Sequence, residues 1–246
     1  MSSDRFNRLQ LLYGSEGLAA LQTKSVAIFG IGGVGSYAAE GLVRGGVGAL
    51  TLVDFDKVDI SNLNRQVHAV ESTVGRAKAL VMAERCRAIN PAAAITSIEA
   101  FFVADSEEKL LSCKYDYVLD CIDHVTAKLH LIESCLKREI PIISSMGAAN
   151  KTDSSLIGVA DLAQTRKCRL ARIVRKELRR RGIEEGVKVV YSTEEYRPLQ
   201  DGRCEIEAGG HYQQRRAPLG SSSVIPPIFG LTMAGEVIRD LLKEVD

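Results

Sequence analysis

Gly30-Ile31-Gly32-Gly33-Val34-Gly35 directly follows the apolar run Ser25 to Gly30 and precedes a helical stretch. Glycines at Gly30, Gly32, Gly33 and Gly35 let a backbone turn tightly and bring its amides, with the N-terminus of the following helix, against an anion. A nucleotide phosphate suits that arrangement. Asp54 ends the next apolar run, 24 residues after Gly30, where a carboxylate can accept hydrogen bonds from ribose hydroxyls. Turn and acid together are the usual dinucleotide signature, so an NAD-dependent oxidoreductase is open on these residues alone.

The residues after Asp54 point elsewhere. The polar segment Asp54 to Gln66, DFDKVDISNLNRQ, places Asp56, Ser61, Asn62, Asn64 and Arg65 where a dinucleotide fold normally proceeds to its next helix. Such a segment can hold a triphosphate. Lys78, at the start of a further helix, can deliver a point charge to phosphates, and Asp123 comes just after the strand-like YVLDCI. In an open parallel sheet the carboxyl ends of the strands form the ligand crevice.

These groups need a scaffold of strands and crossover helices. The runs Ser25 to Gly30, Ala49 to Asp54, Ile95 to Ala100, Tyr115 to Cys121 and Ile140 to Ser145 are short and rich in β-branched residues. Helical stretches fit between them at about 34–44, 76–88, 106–111 and 125–137. That alternation predicts an α/β, doubly wound, mostly parallel Rossmann-like sheet. It places a Rossmann-like domain at 1–147 and, at 148–246, a C-terminal part of the same fold. Strand candidates Leu156 to Asp161 and Val187 to Ser192 form an appendage there with a basic helix from about Lys167 to Arg181. The polar stretch Thr193 to Ser223 is long for a structureless loop in a compact domain, which predicts a lid or a subunit-crossing loop.

With 32 Lys+Arg against 31 Asp+Glu, the chain of 246 residues is neither broadly basic nor broadly acidic, and 46% hydrophobic residues exclude disorder. Charge is concentrated locally. Arg166, Lys167, Arg169, Arg172, Arg175, Lys176, Arg179, Arg180 and Arg181 face only Glu177 between Gln164 and Arg181. This suits a nucleic-acid backbone or, equally, a solvated helix face. Leu170, Ile173, Val174 and Leu178 supply an apolar stripe for the same helix.

The six cysteines contain no C-x-x-C, which argues against a zinc ribbon or a disulfide scaffold. Cys121 and Cys135 read as core residues, whereas Cys168 and Cys204 are unassigned. His68, His130 and His211 read as surface or satisfied side chains. The N-terminal stretch lacks an apolar export core, and a cytoplasmic location is expected. Val224 to Leu242 carries Pro226, Pro227, Glu236, Arg239 and Asp240, so a buried loop and terminal helix are expected there, with no membrane partner.

Several motifs, in order, resemble the superfamily of ubiquitin-activating-like adenylyltransferases of the ThiF, MoeB and HesA type. They are RFNR (Arg5 to Arg8), GIGGVGS (Gly30 to Ser36), LVDFDKVDISNLNRQ (Leu52 to Gln66), VGRAKA (Val74 to Ala79), INP (Ile89 to Pro91) and DCIDH (Asp120 to His124). The resemblance implies ATP and magnesium as cofactors and makes 1–147 an ATP-binding adenylation domain. It puts Gly33 over the α-phosphate, Asp54 on the ribose, Ser61 to Arg65 and Lys78 around the phosphates, and Asp123 on the metal. His124 stands where sulfur-carrier activators have Asn. Arg8 would cross a two-fold homodimer interface to the neighbouring ATP, completing a catalytic set of Arg8, Arg65, Lys78 and Asp123.

The two C-x-x-C pairs usual in sulfur-carrier activators are missing. Instead MGAANKTDSS (Met146 to Ser155), Val159 to Gly182, VVYSTEE (Val189 to Glu195) and Leu219 to Ile238 resemble the tRNA threonylcarbamoyladenosine dehydratase branch. That branch implies adenylation of the carboxylate on a modified adenosine beside the tRNA anticodon, then intramolecular ring closure with net loss of water. Activation of the C-terminal glycine of a sulfur carrier is the closest alternative, and a sulfur-transfer partner protein stays open. An oxidoreductase or a non-catalytic nucleotide-binding module represents a different class.

Overall fold

The computed structural model describes residues 5–197 and 219–243. Helix α1 (Asn7–Thr23) leads into β1 (Ser25–Phe29), α2 (Gly35–Arg44), β2 (Ala49–Val53), α3 (Lys78–Ile89), β3 (Ala94–Ile98) and α4 (Glu107–Leu110). Then come β4 (Tyr117–Asp120), α5 (Val125–Lys137), β5 (Ile142–Ser145), β6 (Ile157–Asp161), α6 (Arg169–Arg179), β7 (Lys188–Ser192) and α7 (Ile225–Leu242). Short 3-10 turns join several of them.

The seven strands of the described residues form one sheet in the order β3-β2-β1-β4-β5-β7-β6. Six run parallel, and only β6 is antiparallel, along the outer edge of β7. The chain builds outward from β1 through β2 to β3, then returns to place β4 on the other side of β1. That reversal opens a crevice at the carboxyl ends of β1 and β4. The sheet continues unbroken into the C-terminal strands, with Ile143 in register with Lys188.

Alternate residues of β1 serve two apolar layers. Val26 and Ile28 pack with Ala38 and Leu42 of α2, Met82 of α3 and Phe229 and Met233 of α7. Ala27 and Phe29 pack with Leu131 and Ile132 of α5 and Val174 of α6 on the opposite face. A strand buried on both sides explains the nearly continuous hydrophobic runs.

One helix left no clear pattern in the sequence, and two expectations need correction. Helix α1 was not legible: Leu11 and Leu12 are 80% and 70% exposed, and the helix bends at Gly14, so its apolar spacing is irregular. Pro226 and Pro227 lie inside the first turn of α7, not in a preceding loop, because a proline costs no hydrogen bond at that position. On α6 the buried stripe is Ala171, Val174 and Leu178, while Ile173 faces outward. No helix of the described residues is long and apolar enough to cross a membrane.

His68 is neither exposed nor satisfied. It is buried, and neither ring nitrogen has a hydrogen-bond partner among the described residues. Burial, with the charges of Lys78 and Arg85, pushes its pKa down to about 4. The unfolded chain therefore takes up this proton first as pH falls from about 6.5, and the contribution of His68 to stability drops by about 3 kcal/mol, levelling near pH 4. Urea midpoints should show that His68→Phe flattens this loss. An unchanged pH slope in the variant would assign the loss to other groups.

Candidate functional site

A cleft of ≈ 580 Å³ lies at the carboxyl ends of β1, β2, β4 and β5. Its floor begins with Gly30, whose φ of +90° suits glycine and whose missing Cβ would lie 2.8 Å from the Cys121 carbonyl oxygen. A side chain there would separate β1 from β4. At Gly33 a Cβ would meet Pro226 at 2.9 Å and Arg65 at 3.3 Å, so the bare backbone keeps the space beside Arg65 open. Gly32 also lines the cleft, whereas Gly35 lies behind it, opening α2 against the Gly30 carbonyl.

Asp54 fastens the glycine turn to the end of β2. One carboxylate oxygen accepts the Ile31 amide at 2.6 Å and the other accepts the Asp56 amide at 2.8 Å. Burial pushes its carboxyl pKa up, against the opposing pull of Lys78 and the two amides. Each oxygen retains acceptor capacity for a hydroxyl from the cleft.

Lys78, the first residue of α3, is buried and donates to Asp56 Oδ2 at 2.9 Å, while its backbone amide bonds the Asp56 carbonyl. Arg65 is half-buried and donates from Nη1 to the Ser61 carbonyl and Asn64 Oδ1, both at 2.8 Å. Asn62, Arg65, Lys78, Asp56 and Asp123 all line the cleft together with the glycine turn and Asp54. Ser61 and Asn64 are exposed supports outside the lining, and Asn64 donates to the Ser221 carbonyl at 3.0 Å.

His124 and Arg8, also of the expected set, sit outside the lining as well. The Nδ1 of His124 accepts the Ala127 amide at 3.3 Å and caps α5. Its ring lies edge-on to Phe101, beside the cleft but not lining it. Arg8 is exposed on the first turn of α1 and does not line the cleft of its own chain.

Among the described residues no group of three or more His, Cys, Asp and Glu could hold a metal ion. A magnesium ion at Asp123 would draw its remaining oxygens from phosphates and water, the usual way this ion binds at nucleotide sites. The mixed wall of two cations and three carboxylates fits such a metal-phosphate ligand.

Several lining residues had no assigned role in sequence. Phe55 and Phe101 meet edge to face at 4.9 Å and form an apolar shelf beside Asp54. The segment from Ser145, the last residue of β5, to Ala149 forms the facing wall, and Leu170 of α6 closes one side. The basic helix therefore starts at the cleft.

The cations of that helix divide into two groups. Arg175 is an internal brace, donating to the Leu162 and Thr165 carbonyls and to Thr165 Oγ1. Lys167 pairs with Glu195, Arg180 with Glu177 and Arg181 with Glu133, while Arg169 stacks 3.9 Å over the Tyr196 ring. The side chains of Arg166, Arg172, Lys176 and Arg179 make no hydrogen bond or ion pair with a described residue. Arg172, Lys176 and Arg179 share one face by their spacing.

Cys86 and Cys135 are buried, and burial pushes both thiols up to about 12. Cys121 packs against the core while touching the cleft, and burial also raises its pKa. Cys168 is buried at the N-cap of α6, where Sγ accepts the Ala171 amide. Cys204, His211 and the central part of the expected loop lie outside the described residues. The described ends of that loop meet at Asn150, through Arg197 N to the Asn150 carbonyl and Asn150 N to the Gly220 carbonyl.

Sheet order, the switch between β1 and β4 and the glycine turn place the chain among doubly wound α/β proteins with a ligand crevice at the strand ends. More narrowly, it belongs to the ThiF family, whose model matches residues 5–245. It is 43% identical to the tRNA threonylcarbamoyladenosine dehydratase of Bacillus subtilis, covering 98% of this chain and 96% of that protein. The protein of that name from Escherichia coli is 37% identical, over 98% and 94% of the two chains. A solved structure of E. coli tRNA N6-threonylcarbamoyladenosine dehydratase, TcdA, in complex with ATP superposes with a TM-score of 0.88. It is 35% identical and covers 100% of this chain and 98% of that one.

Proposed function

We propose that this chain is an ATP-dependent, adenylate-forming enzyme of the cytoplasm. It removes one water from threonylcarbamoyladenosine beside the tRNA anticodon. The observation that carries the reading is one cleft containing the glycine turn, Asp54, Arg65, Lys78 and Asp123, with the basic helix starting at its wall. Relatives with the dehydratase name match over nearly the whole chain.

Asp54 receives the ribose, and the turn amides face the α-phosphate. The substrate carboxylate attacks the α-phosphorus, forming an acyl-adenylate as the bond to pyrophosphate breaks. Arg65 and Lys78 neutralise charge on the departing pyrophosphate, a kind of stabilisation worth about 10²-fold or more per donor. Magnesium bound at Asp123 would supply further charge neutralisation at the phosphates. A nucleophile on the same side chain then attacks the acyl carbon, closing a ring and expelling AMP. Its attachment to the acyl group removes the entropy cost of ordering a second molecule. The exposed position of Arg8 fits a role in the neighbouring site of a homodimer.

Pyrophosphate release measured with ATP, magnesium and unfractionated tRNA should depend on the tRNA. A response only to a sulfur-carrier protein would replace this reading with carrier activation, and ATP binding without release would indicate a silent nucleotide-binding module.

The α6 cations that have no partner among the described residues are the proposed RNA contacts. Changing Arg172, Lys176 and Arg179 together to Ala should weaken tRNA binding at least tenfold. The slope of log affinity against log salt should fall by about 2, from lost counterion release. ATP affinity should persist. An unaltered slope would show that this face is merely solvated.

A further inference from the structure

Beneath the cleft lies a charged group to which the proposed chemistry assigns no task. Lys128, on the first turns of α5, and Asp120, the last residue of β4, are both 0% exposed and paired at 2.7 Å. The Lys128 ammonium also donates to Ser144 Oγ at 3.1 Å and to the Ser145 carbonyl at 2.9 Å. Ser144 donates to the same Asp120 oxygen at 2.6 Å, and the second Asp120 oxygen accepts the Ile122 amide at 3.1 Å.

Burying an ion pair is an expensive way to join two strands and a helix. Apolar side chains of the same volume often do it as well or better, whereas removing one partner leaves an uncompensated charge. What the pair adds is directional bonding. Asp120 holds the start of the loop that carries Asp123, and Lys128 holds the Ser145 carbonyl, where the facing wall of the cleft begins. The His124 cap and the Lys128 amide bond to the His124 carbonyl tie the far end of that loop to the same helix.

We propose that Lys128, with Asp120 and Ser144, is a positioning unit. It fixes the distance between the Asp123 loop on the phosphate side and the Ser145 to Ala149 wall, where the acceptor carboxylate would lie. This role rests on the adenylation chemistry proposed for the cleft. Neither side chain touches the cleft, so the effect is on alignment of the reacting atoms. A misplacement of about 1 Å in such an alignment can cost on the order of 10²-fold in rate.

The test compares wild type, the double variant Asp120→Asn with Lys128→Met, and Ser144→Ala. The double variant removes both charges together, so no unpaired ion is left behind. Its melting temperature should stay close to wild type, while kcat for tRNA-dependent pyrophosphate release falls between ten- and a hundredfold. KM for ATP should change less than threefold, because Asp54, Arg65 and Lys78 lie on other segments. Ser144→Ala keeps the ion pair and should lower kcat at least fivefold with unaltered melting. Should the double variant fail to fold, Ser144→Ala decides alone.

A folded variant with kcat within twofold of wild type, or a rise in KM for ATP with kcat unchanged, overturns the positioning role. Wild type that releases no pyrophosphate with tRNA overturns the adenylation reading instead, and the positioning role falls with it.

Discussion

Lys78→Ala and Arg65→Ala should each lower tRNA-dependent pyrophosphate release by about 10²- to 10³-fold. Lys78 is held against Asp56 at the wall of the cleft, and Arg65 is braced by Ser61 and Asn64 beside Gly33. Both cations are therefore already aimed before any phosphate arrives, and alanine removes charge that water cannot restore with the same geometry. Stability should change little. The Asp56 side chain is 35% exposed, so the broken Lys78 pair contributes only about 1 kcal/mol or less. In a chain of this size that corresponds to a melting shift of roughly 2–4 °C. Turnover within a few-fold of wild type in either variant, in a folded protein, would remove that residue from the phosphate site.

The second large effect is complementation between two inactive variants. If Arg8 serves the neighbouring subunit, each site needs Arg8 from one chain and Lys78 from the other. Arg8→Ala and Lys78→Ala should be inactive separately, whereas a mixture allowed to exchange subunits should recover activity. Half of the dimers are then mixed, and one of the two sites in each holds both residues, giving roughly a quarter of wild-type activity. Mixed dimers seen by native mass measurement with no recovered turnover would return Arg8 to its own chain or remove it from catalysis.

Much of this architecture could be read from local pattern. The central strands β1, β2 and β4 are short apolar runs ending where a polar or glycine-rich segment starts, and burial on both faces makes those runs conspicuous. The glycine turn and Asp54 were legible because their conformational and bonding demands restrict residue type. Helix α1 was not, since its leucines at 11 and 12 face outward and leave no regular stripe. The cleft wall was also hidden, as Phe55, Phe101 and Leu170 come from distant segments and resemble ordinary core residues.

The division of the basic helix could not be seen either. Arg175 and Arg172 are the same residue type, and only the fold shows that one braces the Thr165 turn while the other has no described partner. Lys128 left a weak signal. It is a single cation at helical spacing with Leu131, Ile132 and Cys135, all buried, which marks a charge directed into a core.

Nucleoside mass analysis tests the central proposal most directly. The protein is incubated with ATP, magnesium and unfractionated tRNA, and the tRNA is digested to nucleosides. Threonylcarbamoyladenosine should be replaced by a species lighter by one water, with ATP required and Lys78→Ala unable to support the change. Unaltered threonylcarbamoyladenosine after incubation with active, ATP-binding protein would contradict the assignment of this cleft to tRNA dehydration.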